Sequence, residues 1–211
     1  MRQHVNPLSS NFEEFEPIPP LFEIFKDPQL PLHLDLGTGS GGFLFKLAER
    51  NRDWNYLGIE IRKKLVSNAK TKLKYTDLEN LYFSFGNANI LLSDFIEKSP
   101  KDILRSVSFN FPDPWFKKRH FKRRIIQPEF VKVISKIMPL GSLLLIKSDV
   151  KELFEYMEFI ILNSLIFQKS EKLNPLLEKS FNPQKIKTER EQYALSNKLI
   201  IYEQTYTKII S

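Results

Sequence analysis

"LDLGTGSGGFL" (Leu34 to Leu44) is the stretch on which the fold turns. The apolar run "LHLDLG" ends in an acid and a glycine, and "FLFKLAERN" follows with apolar residues at helical spacing. Gly37, Gly39 and Gly42 satisfy a G-x-G-x-x-G pattern, which turns a chain tightly from a parallel strand into a helix and brings backbone close to a ligand. The pattern by itself does not choose the ligand.

Outward from this turn the same alternation repeats. "NYLGIEI" (Asn55 to Ile61) predicts a second strand and "RKKLVSNAKTKLK" an amphipathic helix. "LYFSFG" (Leu81 to Gly86) predicts a third strand and "ANILLSDFI" a third helix. A fourth strand is read at "SVSFNF" (Ser106 to Phe111), with a helix near Gln127 to Ile137. A fifth is read at "SLLLIKS" (Ser142 to Ser148), followed by the helical "VKELFEYMEFIILN". Strands and helices alternating at these lengths predict an α/β fold with a parallel sheet covered on both faces. The end breaks the rhythm. "LIFQK" near 165–169 and "LIIYEQTYTKI" near 199–209 read as two strands with no full helix between them, an antiparallel pair that brings the sheet to seven strands. Residues 1–31, with six prolines, read as an irregular arm. Residues 32–211 read as a single domain with a polar insertion at about 170–197.

A chain of 211 residues is long enough to bury the core of one such domain. Its net charge of +7 points to a polyanionic partner because the excess is uneven: Lys117 to Arg124 holds six cations and no acid. The absence of cysteine excludes disulfides and thiolate chemistry. The three histidines (His4, His33, His120) lack metal-ligand spacing, so no metal is expected. The first residues lack a signal peptide's apolar core, and the apolar stretch Met157 to Phe167 is too short to span a bilayer. The expectation is a cytoplasmic protein with no membrane partner.

Two acids flank the glycine turn. Asp35, two residues before Gly37, would repel a pyrophosphate but suit an ammonium or sulfonium group. Glu60 closes the second strand at the spacing suited to a ribose diol. Asn87, in "GNAN", is placed to accept a hydrogen bond from an adenine amine. The set suits S-adenosyl-L-methionine. An NAD(P) site and a glycine turn that only packs a helix are the alternatives.

"NFPDPWFKKRHFKRR" (Asn110 to Arg124) is the second motif. Pro112 and Pro114 fix φ and restrict their neighbours, holding Asp113 extended just beyond the fourth strand. Ligands of open α/β sheets lie at those strand ends. Trp115 is expected to anchor the loop in the core. Phe116 and Phe121 are expected to pack or to stack on bases, and the cations to neutralise phosphates. His120 is read as structural or phosphate-facing.

With "DLGTGSGGFL", "GIEI", "NFPDPWFKKRHFKRR" and "TEREQYA" together, the chain resembles the bacterial tRNA (guanine-N7-)-methyltransferases across roughly Asp35 to Leu199. The "HVNPLS" opening is similar as well. The P-D-P-W-x-K-x-R-H-x-K-R-R string is the specific part; the glycine turn is shared with many methyltransferases. The resemblance implies a Rossmann-like class I methyltransferase fold. It implies transfer of a methyl group from S-adenosyl-L-methionine to N7 of guanosine 46 in the variable loop of tRNA, with S-adenosyl-L-homocysteine as product. By the same resemblance Asp35, Gly37, Gly39, Glu60, Asn87 and Asp113 border the cofactor and Asp113 is catalytic. Lys117, Asp149, Thr188, Glu189, Arg190 and Glu191 contact the RNA substrate. Members of the family often carry glutamate at position 35, aspartate at 87 and an aromatic residue where this chain has Arg190. No obligate protein partner is implied, and a monomer and a homodimer both stay open.

Guanine N7 offers an in-plane lone pair and no proton, so alignment and field matter more than a general base. Asp113 is the first candidate to accept from guanine N1–H and N2–H and to balance the cationic product, and Asp149 the second. An NAD(P) oxidoreductase leaves Asp35, the prolines and the basic run unexplained. An amino-group methyltransferase carries an N/D-P-P-aromatic turn, and "DPW" lacks its second proline. A non-catalytic RNA-binding protein has no use for the intact donor-side acids.

Overall fold

A computed structural model describes residues 5–9, 14–170 and 186–210. Seven strands form one sheet in the order β3-β2-β1-β4-β5-β7-β6. They are β1 (Leu32–Leu36), β2 (Asn55–Glu60), β3 (Leu81–Phe85), β4 (Leu104–Asn110), β5 (Leu143–Ser148), β6 (Phe167–Lys169) and β7 (Tyr202–Lys208). β1 to β5 pair in parallel, while β7 runs antiparallel to both β5 and β6. The expected α/β sheet with its closing antiparallel pair is therefore present. From β1 the chain builds outward through β2 and β3, then crosses back to place β4 on the other side. That reversal opens a crevice at the C-terminal ends of β1 and β4, the usual ligand position in such sheets.

Both faces of the sheet are covered, as the near-continuous apolar strands require. Leu32, Leu34 and Leu36 of β1 pack with Leu91 of α4 (Ala88–Lys98), Phe130 of α5 (Pro128–Ser135) and Leu153 of α6 (Lys151–Asn163). The opposite core joins Phe43, Phe45 and Leu47 of α2 (Gly42–Arg50) to Val66 and Ala69 of α3 (Lys63–Leu73) and Phe83 of β3. The arm contributes to the first core. Its helix α1 (Leu21–Ile24) and flanking residues bury Ile18, Leu21 and Phe25, and Glu16 N donates to Phe85 O at 2.9 Å.

The expectation of no full helix between the closing strands is corrected. Helix α7 (Glu189–Ser196) lies there, within what reads as a polar insertion; residues 171–185 of that insertion are outside the described residues. Its polar sequence, "EREQYALS", hides the helical period, and a capping box starts it instead. Thr188 Oγ1 accepts from Glu191 N, and the Glu191 carboxylate accepts from Thr188 N. Such a cap contributes about 0.5–2 kcal/mol, and buried Ile186 and Ala194 seat the segment on the domain.

Candidate active site

A cavity of about 310 Å³ opens at the C-terminal ends of β1, β2 and β4, walled by the glycine turn, Glu60, Asn87, Asp113, Trp115 and Arg190. Gly37 and Gly39 have φ of +77° and +61°, and a Cβ built on either would meet nothing within 4 Å. The turn therefore needs glycine for its backbone, and it leaves open room on the cavity side.

Asp35 is 2% exposed. The register pairs it with Ser108, whose Oγ donates to Asp35 Oδ1 at 2.5 Å, and Asn110 Nδ2 donates to the same oxygen at 3.0 Å. His33 Nε2 lies 3.1 Å from Ser108 Oγ. Since the serine proton points to the carboxylate, His33 Nε2 must be the protonated nitrogen and donate. Burial lowers the His33 pKa from 6.5 to about 3, so the ring is neutral. Burial also raises the Asp35 pKa; the hydrogen bonds from Ser108 and Asn110 oppose that rise, and the charge of Glu60 adds to it.

Glu60, 3% exposed, is held at both oxygens. Gly39 N donates to Oε2 at 2.8 Å, and Arg62 grips the carboxylate through Nε at 2.9 Å and Nη2 at 3.1 Å. The Glu60 hydrogen bond raises the Arg62 pKa, and the charge of Asp113 contributes too, which sets the proline-bounded acid electrically beside the Glu60–Arg62 pair. Asn87 caps α4: its Oδ1 accepts from Asn89 N at 3.1 Å, and its Nδ2 donates to Pro7 O at 3.0 Å. It thus ties the arm, whose Val5 and Pro7 complete the cavity wall, to the third strand.

The Pro-Asp-Pro turn is bracketed by Phe111 and Trp115, with φ of 54° and 46°. Left-handed backbone at such residues costs on the order of 1–3 kcal/mol each and persists where surrounding contacts hold it. Phe111 N donates to Lys147 O at 2.9 Å, and Arg124 Nε donates to Pro114 O at 2.9 Å. Arg124 is 5% exposed, its guanidinium stacked over Phe121 and Tyr156 at 3.7 and 4.4 Å. It clamps the turn, which corrects its expected place among the phosphate-facing cations. Trp115 is corrected as well. It is half-buried in the cavity wall under Arg123, at 4.9 Å, rather than in the core. Phe121 packs, Phe116 is exposed, and His120 meets Trp115 edge-on. Lys117, Lys118, Arg119 and Lys122 remain exposed on and at the start of a 3-10 turn (Lys118–Arg123) whose last residue, Arg123, lines the cavity.

The residues expected to touch RNA divide. Lys117 and Asp149 do not line the cavity, whereas Thr188, Glu189 and Arg190 do. Successive residues of α7 reach three different elements. Ser40 Oγ donates to Glu189 Oε1 at 2.7 Å, Arg190 pairs with Asp149, and Glu191 takes Lys147 Nζ at 3.2 Å. Lys147 is buried and also pairs with Glu203 at 3.1 Å. The sequence reading missed Ser40, Arg62 and Lys147, and it read Arg123, which lines the cavity, only as one of the phosphate-facing cations. A lysine inside the apolar run "LLLIKS" was the available signal, because a buried ammonium demands carboxylates. Among the described residues no group of three or more side chains suits a metal ion, and no helix is long and apolar enough to cross a membrane.

Sheet order and cavity position define the class I methyltransferase fold. The solved aminoglycoside-resistance methyltransferase NpmB1 superposes with a TM-score of 0.56 at 15% identity, covering 88% of this chain and 89% of that one. The 16S rRNA methyltransferase KamB gives 0.55 at 16%, covering 86% and 90%. The family profile described as "Putative methyltransferase" matches residues 29–204. The tRNA (guanine-N(7)-)-methyltransferase of Prochlorococcus marinus strain MIT 9515 is 56% identical over 99% of this chain and 100% of its own length. The enzyme of the same name from strain MIT 9313 is 41% identical over 99% of this chain and 88% of its own. This chain belongs to the tRNA (guanine-N(7)-)-methyltransferase family.

Proposed function

We propose that the protein transfers a methyl group from S-adenosyl-L-methionine to N7 of guanosine 46 in the variable loop of tRNA. The observation that carries this reading is one cavity in which two buried carboxylates, Asp35 and Glu60, face a third, Asp113, at the head of an exposed basic run. The donor suits the residues present. A buried carboxylate matches its amino group, an acid on the second strand matches its ribose, and the open space above Gly37 and Gly39 accepts its amino-acid end. Asn87 keeps a second lone pair on Oδ1 for the adenine amine. The arm, residues 1–31, supplies part of that wall, and residues 32–211 form the catalytic domain.

When bound, the donor presents an electrophilic methyl on a sulfonium to the guanine lone pair. Asp113, stiffened by two prolines and clamped through Arg124, accepts from the guanine N1–H and N2–H edge and offsets the positive charge that methylation leaves on the base. Asp149 is the second acceptor for that edge. Trp115 and the arm limit water at the reacting face, and Lys117, Lys118, Arg119 and Lys122 take phosphates. S-adenosyl-L-homocysteine leaves as product. Incubating unmodified tRNA transcripts with isotope-labelled donor, followed by nuclease digestion and mass spectrometry, tests the reading. Label is expected at N7 of the variable-loop guanosine. Label on an exocyclic amine or a ribose would overturn it.

A further inference from the structure

Asp149, just beyond β5, and Arg190, in the first turn of α7, form an ion pair across forty-one residues of sequence. The Asp149 side chain is 3% exposed at the end of β5, and Arg190, 32% exposed, stands between it and the cavity. Arg190 lines the cavity and Asp149 does not. The guanidinium is incompletely used: its Nε is buried with no hydrogen-bond partner among the described residues, and one face rests 4.6 Å from the Tyr193 ring. The helix beneath it is anchored independently, by the capping box and by the buried Glu191–Lys147 pair. Arg190 can therefore swing without α7 leaving its seat.

We propose that Arg190 is a latch released by the RNA substrate. Its guanidinium exchanges the Asp149 carboxylate for a phosphate of the incoming tRNA, and the uncovered Asp149 acts beside Asp113 as the second acceptor for the guanine N1–H and N2–H edge. This rests on the reading of Asp149 as a guanine acceptor. The chemistry favours the exchange, since a planar guanidinium matches phosphate as well as carboxylate. While Arg190 is paired with it, Asp149 is partly neutralised toward a cationic product; once Arg190 leaves, that neutralisation is gone. A guanine without a phosphate in reach must break the pair and gets nothing back. The latch thus discriminates against bare guanine nucleosides by repelling the wrong substrate rather than by gripping the right one harder.

Arg190→Met keeps the side-chain stem and removes the charge. Guanosine and full-length tRNA should be methylated in parallel by wild type, Arg190→Met, Asp149→Asn and the double variant, with the salt dependence of tRNA binding measured for each. Arg190→Met should raise guanosine methylation by about tenfold, the worth of one charge-assisted contact. It should also reduce the logarithmic salt slope for tRNA by about one. The double variant should lose the gain on guanosine. Arg190→Lys, which disturbs packing least, should retain the slope and much of the discrimination. Equal losses on both substrates with an unchanged slope would overturn the latch. Wild-type methylation by Asp149→Asn would remove the guanine contact on which it rests. A slowed Asp149→Asn beside an unaltered Arg190→Met would remove the latch alone.

Discussion

On the proposed donor side of the cavity, Asp35 and Glu60 are buried at strand ends, and each is ringed by donors fixed in the sheet or the glycine turn. On the substrate side, the cations ride on a 3-10 turn and a short helix, and two of them, Arg123 and Arg190, hold a buried Nε without a partner among the described residues. The two carboxylates of the first wall have their partners before any ligand arrives, whereas two guanidinium groups of the second each keep a nitrogen without one among the described residues. The contrast fits what each would bind: a small cationic donor met by preset carboxylates, and a large polyanion met by side chains that can change partners. Asp113 stands where the two walls meet.

The sharpest way to break this division is at that junction. Asp113→Asn preserves shape and removes charge, so turnover should fall about 10²–10³-fold, the usual cost of one preorganised electrostatic contact. tRNA affinity should barely move, and single-turnover rates on saturated enzyme isolate the step. Wild-type rates would make the turn a scaffold. Next in size, Asp35→Ala and Glu60→Ala should each weaken donor binding by roughly 1.5–3 kcal/mol in calorimetry, with Asn87→Ala costing less.

Within the basic run the structure separates two classes of cation. Replacing Lys117, Lys118 and Lys122 by alanine should flatten the salt dependence of tRNA binding by about one unit per lost phosphate contact. Arg124→Ala should instead leave that slope alone and lower the melting temperature by about 4–8 °C, for roughly 2 kcal/mol of lost clamp. A reversal of these two phenotypes would place Arg124 on the RNA and contradict its burial.

The same division explains what could be read in advance. Strand-end acids and a glycine turn are local signals, because a parallel strand carries its last residue to the sheet's ligand edge whatever else the chain does. Asp35, Glu60 and the alternation of elements were legible for that reason. The substrate side depends on pairings distant in sequence. Nothing in "KRR" shows that Arg124 turns inward onto Tyr156, and nothing near Arg190 reveals Asp149, forty-one residues earlier. Helix α7 was hidden because its polar face leaves too few apolar residues to show a period, although the T-x-x-E of its capping box was in plain view.

A smaller effect concerns protons. Burial holds the Asp35 carboxyl above the usual carboxylate range, so the free protein takes up this proton at a higher pH than an exposed aspartate would. An ammonium group bound beside it favours the ionised form. Donor binding should therefore release protons, and weaken, as the pH falls toward that raised value. Folding runs the other way, since protonation relieves a buried charge, so the stability tied to Asp35 grows as the pH falls. Calorimetry in two buffers of different ionisation heat should detect the release and find it absent in Asp35→Asn. Proton uptake by the wild type would contradict the assignment.

The division itself is tested most directly by crossing the two ligands with the two walls: equilibrium binding of S-adenosyl-L-homocysteine and of tRNA to Glu60→Ala and to the Lys117, Lys118 and Lys122 triple variant. Glu60→Ala should lose the small ligand about tenfold or more while holding tRNA as the wild type does. The triple variant should do the reverse. If each variant loses both ligands in the same proportion, the walls are not separate, and the contrast between a preset donor side and an exchangeable substrate side fails.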